Sequence, residues 1–149
     1  MMPRTHLVAC PLLLLTLSAS ADVVVIVNRQ NPIEQLSREQ VADIFLGRSA
    51  VFPNGIKAMA IEQAESQPDY VAFHALVTGK NTIQLRAYWS KMVFSGQALP
   101  PIEVSPDKTL PLVRRSSNSI AYADRARVDD TVKVVFSADV SASQTTPAR

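Results

Sequence analysis

Few residues in this chain have the type and spacing to do chemistry. His74 is the one histidine after His6. A catalytic histidine needs a nucleophile to deprotonate and a carboxylate to orient it. No motif such as G-x-S-x-G sets a serine for that purpose, so His74 reads as a structural residue on a helix beside Phe73. Glu62 and Glu65 precede that helix, but acid–base catalysis by a carboxylate pair needs a shared cleft, which spacing alone does not supply. Asp129-Asp130 reads as a solvated turn. The sequence has no H-x-x-x-H, no C-x-x-C and no alternating Asp/Asn loop, so neither metal nor cofactor is expected. Arg114, Arg115, Arg125 and Arg127 form the one basic grouping, and a net charge of +2 creates no field for nucleic acid. Tyr88-Trp89 falls on a helical stripe and reads as core rather than as a stacking platform. The polar connection 62–67 is the best-placed stretch for binding. It runs from a strand into a helix N-terminus, where free N–H groups and the positive dipole end favour an anion. An ordinary helix cap is the alternative reading.

The elements that would position these residues follow from periodicity and end signals. Asp22 to Asn28 is a continuous β-branched run and reads as a strand apolar on both faces. Ser37 and Gln40 have capping-box spacing, with Leu36 and Val41 at the two staple positions. Val41, Ile44 and Phe45 then form one apolar stripe, and Gly47 ends the helix. Phe52-Pro53-Asn54-Gly55 is a turn. Ile56 to Ile61 reads as a second strand. A second helix starts near Pro68-Asp69 with Ser66 or Gln67 as cap, carries Tyr70, Phe73 and Val77 on one face, and stops at Gly79. Thr82 to Phe94 reads as a third helix with Leu85, Tyr88, Trp89 and Met92 on one side, ended by Gly96 and Pro100-Pro101. Pro106 to Arg114 reads as a short helix capped by Ser105. Ser119 to Tyr122 and Val132 to Phe136 read as short strands.

Residues 1–21, MMPRTHLVACPLLLLTLSASA, have the pattern of a secretory signal peptide. Arg4 supplies the positive start, Leu7 to Leu17 the apolar run, and Ala19-Ser20-Ala21 the small-residue cleavage site. The run is too short to span a bilayer core, which takes about 20 helical residues. Leu7-Val8-Ala9-Cys10 has the local look of a lipoprotein cleavage site, but it precedes the apolar run instead of following it. Cleavage after Ala21 removes Cys10, the only cysteine, and one charged residue, Arg4. A cysteine-free product suits an oxidising compartment. With 149 residues, 47% of them hydrophobic and 19% charged, the chain has enough for one packed domain and is too apolar to be disordered. The expected organisation is a signal peptide over 1–21, one α/β domain over 22–136 and a small, polar, disordered tail over 137–149.

Three stretches resemble one family. Leu36-Ser-Arg-Glu-Gln-Val-Ala-Asp-Ile-Phe-Leu-Gly-Arg48 resembles the helix that reads L-T-x-x-Q-L-A-D-I-F-x-G-K in the substrate-binding proteins of phosphate ABC transporters. Ala87-Tyr-Trp-Ser-Lys-Met-Val-Phe-Ser-Gly96, followed by Pro100-Pro101, is similar to a Y-W…F-x-G…P-P segment of their short, single-lobe relatives. Ser119-Ile-Ala-Tyr122 resembles their G-x-I-G-Y strand. The resemblance spans residues 23–136. It implies an α/β fold, a single periplasmic-binding-protein-like (type II) lobe with a small central sheet flanked by helices. It also implies an exported, non-enzymatic, solute-binding-like protein, periplasmic in a Gram-negative cell, with no transmembrane segment after cleavage.

The resemblance implies a ligand site in the loop before the second helix, with Gln63, Ser66, Gln67 and Asp69 as candidate contacts for phosphate or another small anion. The family's loop reads R-x-D-G-S-G-T. Gln63 stands where its arginine would be, and Gln67, Pro68 and Asp69 stand where Ser-Gly-Thr would be. Glutamine offers one neutral amide in place of a bidentate charged fork. Pro68 has no N–H to give, and Asp69 answers the helix dipole from within the chain and repels an anion. The alternative on the same fold is a protein-interaction module with a periplasmic or membrane partner. An exposed apolar patch near Tyr88 and Trp89 would favour that reading, and a polar cavity over 62–69 would favour a solute.

Overall fold

The computed structural model describes residues 22–138. The expected signal peptide lies outside the described residues. Val23–Asn28 forms β1, and all six of its residues are buried. Alternate side chains serve two cores, as a strand buried on both faces requires. Val23, Val25 and Val27 face a cluster with Val41, Phe45, Phe73 and Tyr122, whereas Val24 and Ile26 face Ile61, Val113 and Val132.

Arg38–Phe45 forms α1. The Ser37 side chain accepts from Gln40 N, and the Gln40 side chain accepts from Ser37 N, so the capping box is closed in both directions. Leu36 and Val41 are both buried, in keeping with a hydrophobic staple. Pro68–Phe73 forms α2. It runs on through a π-helical turn, His74–Thr78, to Gly79 at φ +67°. Thr82–Phe94 forms α3, opened by a second capping box between Asn81 and Gln84. Pro106–Arg115 forms α4 behind Ser105, which makes no side-chain cap bond.

The sheet has five strands in the order β3-β2-β4-β1-β5. Here β2 is Met59–Glu62, β3 Ile102–Glu103, β4 Ser119–Asp124 and β5 Val132–Ala138. β1 runs antiparallel to β4 and β5, and β2 runs parallel to β3 and β4. The sheet is therefore mixed and flanked by helices on both faces, which is the α/β lobe that the sequence implies.

Four expectations need correction. The strand expected over 56–61 begins at Met59, where pairing with Ser119 starts. The chain before it forms a turn closed by an isolated Val51–Lys57 bridge. β3 was not expected at all. β5 extends to Ala138, pairing Ser137 with Val24 and Ala138 with Val23, so the first two residues of the expected tail belong to the sheet; residues 139–149 lie outside the described set. Finally, of the α3 stripe only Leu85 is buried, while Tyr88, Trp89 and Met92 are half-buried. Tyr88 donates its hydroxyl to the Leu46 carbonyl at 2.6 Å. Gly47, at φ +67°, lets Trp89 and Ala98 close on the backbone, since a Cβ there would sit 2.9 Å from Ala98 Cβ.

Candidate functional site

The end of β2 and the start of α2 bring a buried polar network to the edge of the core. Glu62 closes β2 and is buried there. Its carboxylate accepts a hydrogen bond from the Tyr122 hydroxyl on β4, and its Oε2 lies 3.0 Å from His74 Nε2. The other ring nitrogen of His74, Nδ1, lies 3.2 Å from Thr78 Oγ1, which in turn donates to the His74 carbonyl at 3.0 Å. His74 and Thr78 are spaced by four residues at the two ends of the π turn. Such turns are frequent at functional positions.

A carboxylate, an imidazole and a hydroxyl in a row are the parts of an acyl-transfer triad. Here they are packing. His74 is 1% exposed, and both its nitrogens are taken by Glu62 and Thr78. Phe73 stacks on Tyr122, with centroids 4.1 Å apart and planes at 8°, while His74 meets Tyr70 at 4.5 Å. His74 also borders an open cavity of about 300 Å³ with Tyr70, Lys80 and Gln84, but neither ring nitrogen is free to serve as a base there. Burial first, and then the Glu62 charge, push the Tyr122 phenol far up, so it stays a donor.

Above this network lies an open cavity of about 230 Å³. Glu62, Gln63, Glu65 and Glu103 supply its polar wall, with Arg86 at the Glu65 side, and Tyr70 and Trp89 add aromatic surface. Arg86 donates to both oxygens of Glu65, through Nε at 2.9 Å and through Nη2. That fork holds the Glu65 carboxyl below its ordinary range. Glu62 and Glu103 sit in register on the neighbouring parallel strands β2 and β3, so their side chains share a face. The cavity therefore carries more carboxylates than cations.

Tyr70 responds to the same surroundings. Its phenol is pushed up to about 12, by burial first and then by Glu62, Glu65 and Glu103, with Arg86 opposing. A folded-state value above the unfolded one means stability that is complete below pH about 10 and lost as pH rises towards 12. In the native protein the absorbance of Tyr70 tyrosinate should thus emerge near pH 12. A Tyr70→Phe variant should lose that component and weaken less over this interval.

Of the four residues expected to contact a ligand, Gln63 alone reaches the cavity wall. It is buried: its Nε2 donates to the Tyr122 carbonyl, and its backbone N–H donates to the Tyr122 hydroxyl, both at 3.3 Å. Its Oε1 is buried with no hydrogen-bond partner. Ser66 is exposed and Gln67 is a half-buried N-cap whose side chain makes no cap bond. Asp69 is committed elsewhere, accepting from the backbone N–H of Asp124 at 3.2 Å. It pins the start of α2 to the end of β4. Glu103, Trp89 and Arg86 belong to the cavity but carry no signal in the sequence, because only the β2–β3 pairing and the α3 packing bring them there. Among the described residues no group of three His, Cys, Asp or Glu side chains is arranged to hold a metal. No described helix is long and apolar enough to cross a membrane.

No family model matches the chain, and no curated protein matches it by sequence. Solved structures do match the fold. A phosphate ABC transporter substrate-binding protein of Clostridium perfringens, crystallised with phosphate, superposes with a TM-score of 0.62 at 19% identity, covering 76% of this chain and 44% of its own. An ABC-type phosphate transport receptor of Vibrio cholerae gives 0.62 at 18% identity, with 76% and 45% covered. PstS of Borrelia burgdorferi gives 0.58 at 14% identity, with 76% and 46% covered. The chain thus spans less than half the length of these proteins. A five-stranded mixed sheet with four helices, matched over that span, gives this chain the α/β fold of a single periplasmic-binding-protein-like lobe of the phosphate-binding proteins.

Proposed function

We propose that this chain is an exported, non-enzymatic solute-binding-like protein whose loop at 62–69 does not hold phosphate. The observation that carries this reading is the cavity wall. Where a phosphate site would need an arginine and free N–H groups, Glu62, Glu65 and Glu103 surround a neutral Gln63, and the one arginine is bound to Glu65. An anion entering there would face like charge and lose the charged hydrogen bonds that make such sites tight, each worth roughly 1.5–3 kcal/mol. Export rests on the pattern of residues 1–21. Titration calorimetry with millimolar phosphate on the chain starting at Asp22 tests the reading: no saturable heat is expected, and a stoichiometric isotherm refutes it.

One observation favours the alternative, a protein-interaction module. Phe94 is 96% exposed at the end of α3, beside exposed Val93, and Leu99 and Ile102, just after that end in sequence, are exposed as well. Exposed apolar clusters of this kind mark contact surfaces. If a second copy of the chain covers this face, Tm should rise with protein concentration. Phe94→Glu should remove that dependence while leaving the stability of the dilute protein within about 0.5 kcal/mol of the parent. A concentration-independent Tm in the parent would count against self-association.

A further inference from the structure

The end of α3 carries a knob and, close by in sequence, a seat. Phe94 is the last residue of the helix, and its ring stands almost wholly in solvent. A groove of about 500 Å³ lies between this end of the chain's third helix and the β2–β3 side of the sheet. It is open because small residues line it: Gly47, Ala50, Ala58, Ala60 and Ala98 leave space that larger side chains would fill. Its lining holds one charged residue, Lys57. Leu99 and Ile102 belong to the lining and are also exposed, so the groove and the apolar surface are continuous. Phe94 does not fill the groove of its own chain, since nothing in the chain covers its ring. The rest of the chain offers no better occupant. Residues 139–149 follow Ala138 on β5, at the opposite edge of the sheet from β3. Their sequence, DVSASQTTPAR, has one branched apolar residue, Val140. The apolar run at 7–17 belongs to the segment that export would remove.

We propose that the chain forms a weak two-fold dimer in which Phe94 of each copy seats in the groove of the other. The proposal rests on the contact-surface reading above and gives that surface its occupant. A two-fold contact uses the same patch on both copies, so each gives its knob and receives its partner's, and the contact closes on itself. The area fits a weak dimer. The exposed side chains and the groove offer on the order of a few hundred Å² per copy, the size of the largest apolar patch on an ordinary monomer. That is less than the roughly 800 Å² per partner of a standard stable interface. Interfaces of standard area are micromolar or tighter, so this one is expected to dissociate on the order of 100 μM.

Sedimentation velocity of the chain starting at Asp22, over concentrations on either side of that value, tests the proposal. A monomer–dimer equilibrium is expected, with no larger species. Phe94→Glu removes the knob and should weaken the dimer by at least about thirtyfold, as the loss of a buried aromatic anchor does. Ala50 is exposed and lines the groove, so its substitution spares the fold. Ala50→Trp fills the groove and Ala50→Glu puts a charge on its wall. Both should weaken the dimer while leaving Phe94 in place, and both should keep the parent's Tm at low concentration. A parent that stays monomeric throughout overturns the proposal and leaves the contact surface to a different protein. A dimer lost with Phe94→Glu but unchanged by both Ala50 variants also overturns it, since the face is then a contact surface without this seat. Species that keep growing with concentration contradict the closed two-fold contact. A dimer that survives Phe94→Glu overturns the proposal and the reading beneath it.

Discussion

Replacing Phe73 by alanine is expected to cost about 3–5 kcal/mol. Its ring is fully buried where α2 meets the sheet, stacked on Tyr122 at 4.1 Å and edge-on to Phe45 at 4.7 Å. Removing it opens a cavity bounded by two other rings and by β1, all close-packed and unable to collapse far. It also forfeits the aromatic pairs themselves, worth about 0.5–1.5 kcal/mol beyond area. Since domains of this size are stable by about 5–15 kcal/mol, the midpoint of urea unfolding should fall sharply. Phe73→Leu fills most of the volume and should cost well under half as much. An alanine variant within 1 kcal/mol of the parent would show that α2 is not docked as described.

Glu62→Ala is expected to cost about 3 kcal/mol or more, by a different route. The carboxylate receives the Tyr122 hydroxyl and contacts His74 Nε2, both inside the core. Alanine leaves the two without a partner, and each buried orphan costs about 1–3 kcal/mol. Glu62→Gln keeps the shape, can accept from Tyr122 through its oxygen, and can donate to the imidazole through its nitrogen. It should therefore cost about 1 kcal/mol or less. Equal losses for the two variants would mean that the network is not formed. If alanine were neutral, water would be reaching all three groups, and the site would be open where it is described as packed.

The parts of the fold legible in the sequence are those set by local rules. β1 was legible because a run of valines and isoleucine buried on both faces needs no periodicity. α1 was legible because Ser37, Gln40, Leu36 and Val41 state its start in four residues. β3 was not, since Ile102 and Glu103 are two exposed residues with no period, made into a strand only by Ile61 and Glu62 alongside. The start of β2 was displaced for the same reason: Ile56 has strand propensity, but the partner strand begins at Ser119, opposite Met59. The π turn at His74–Thr78 reads in sequence as an unbroken continuation of the second helix up to Gly79.

The candidate site divides along the same line. Gln63 was reachable through the family resemblance, and Glu62 and Glu65 were visible as acids beside a helix start. Their chemistry was not, because it depends on Tyr122, sixty residues away in sequence, and on Glu103 and Trp89, which arrive through strand pairing and helix packing. Asp69 was read correctly as a charge at the start of α2, yet its partner, the Asp124 N–H, lies across the sheet edge.

The central claim is that an acidic wall has replaced an anion site on a phosphate-binding fold. Thermal unfolding of the chain from Asp22, with millimolar phosphate against sulfate at equal ionic strength, tests it most directly. A ligand at 100 times its Kd adds about 2.7 kcal/mol, or on the order of 10 °C in Tm for a domain of this size. The account predicts the same Tm in both salts. A rise of that order with phosphate alone would contradict it.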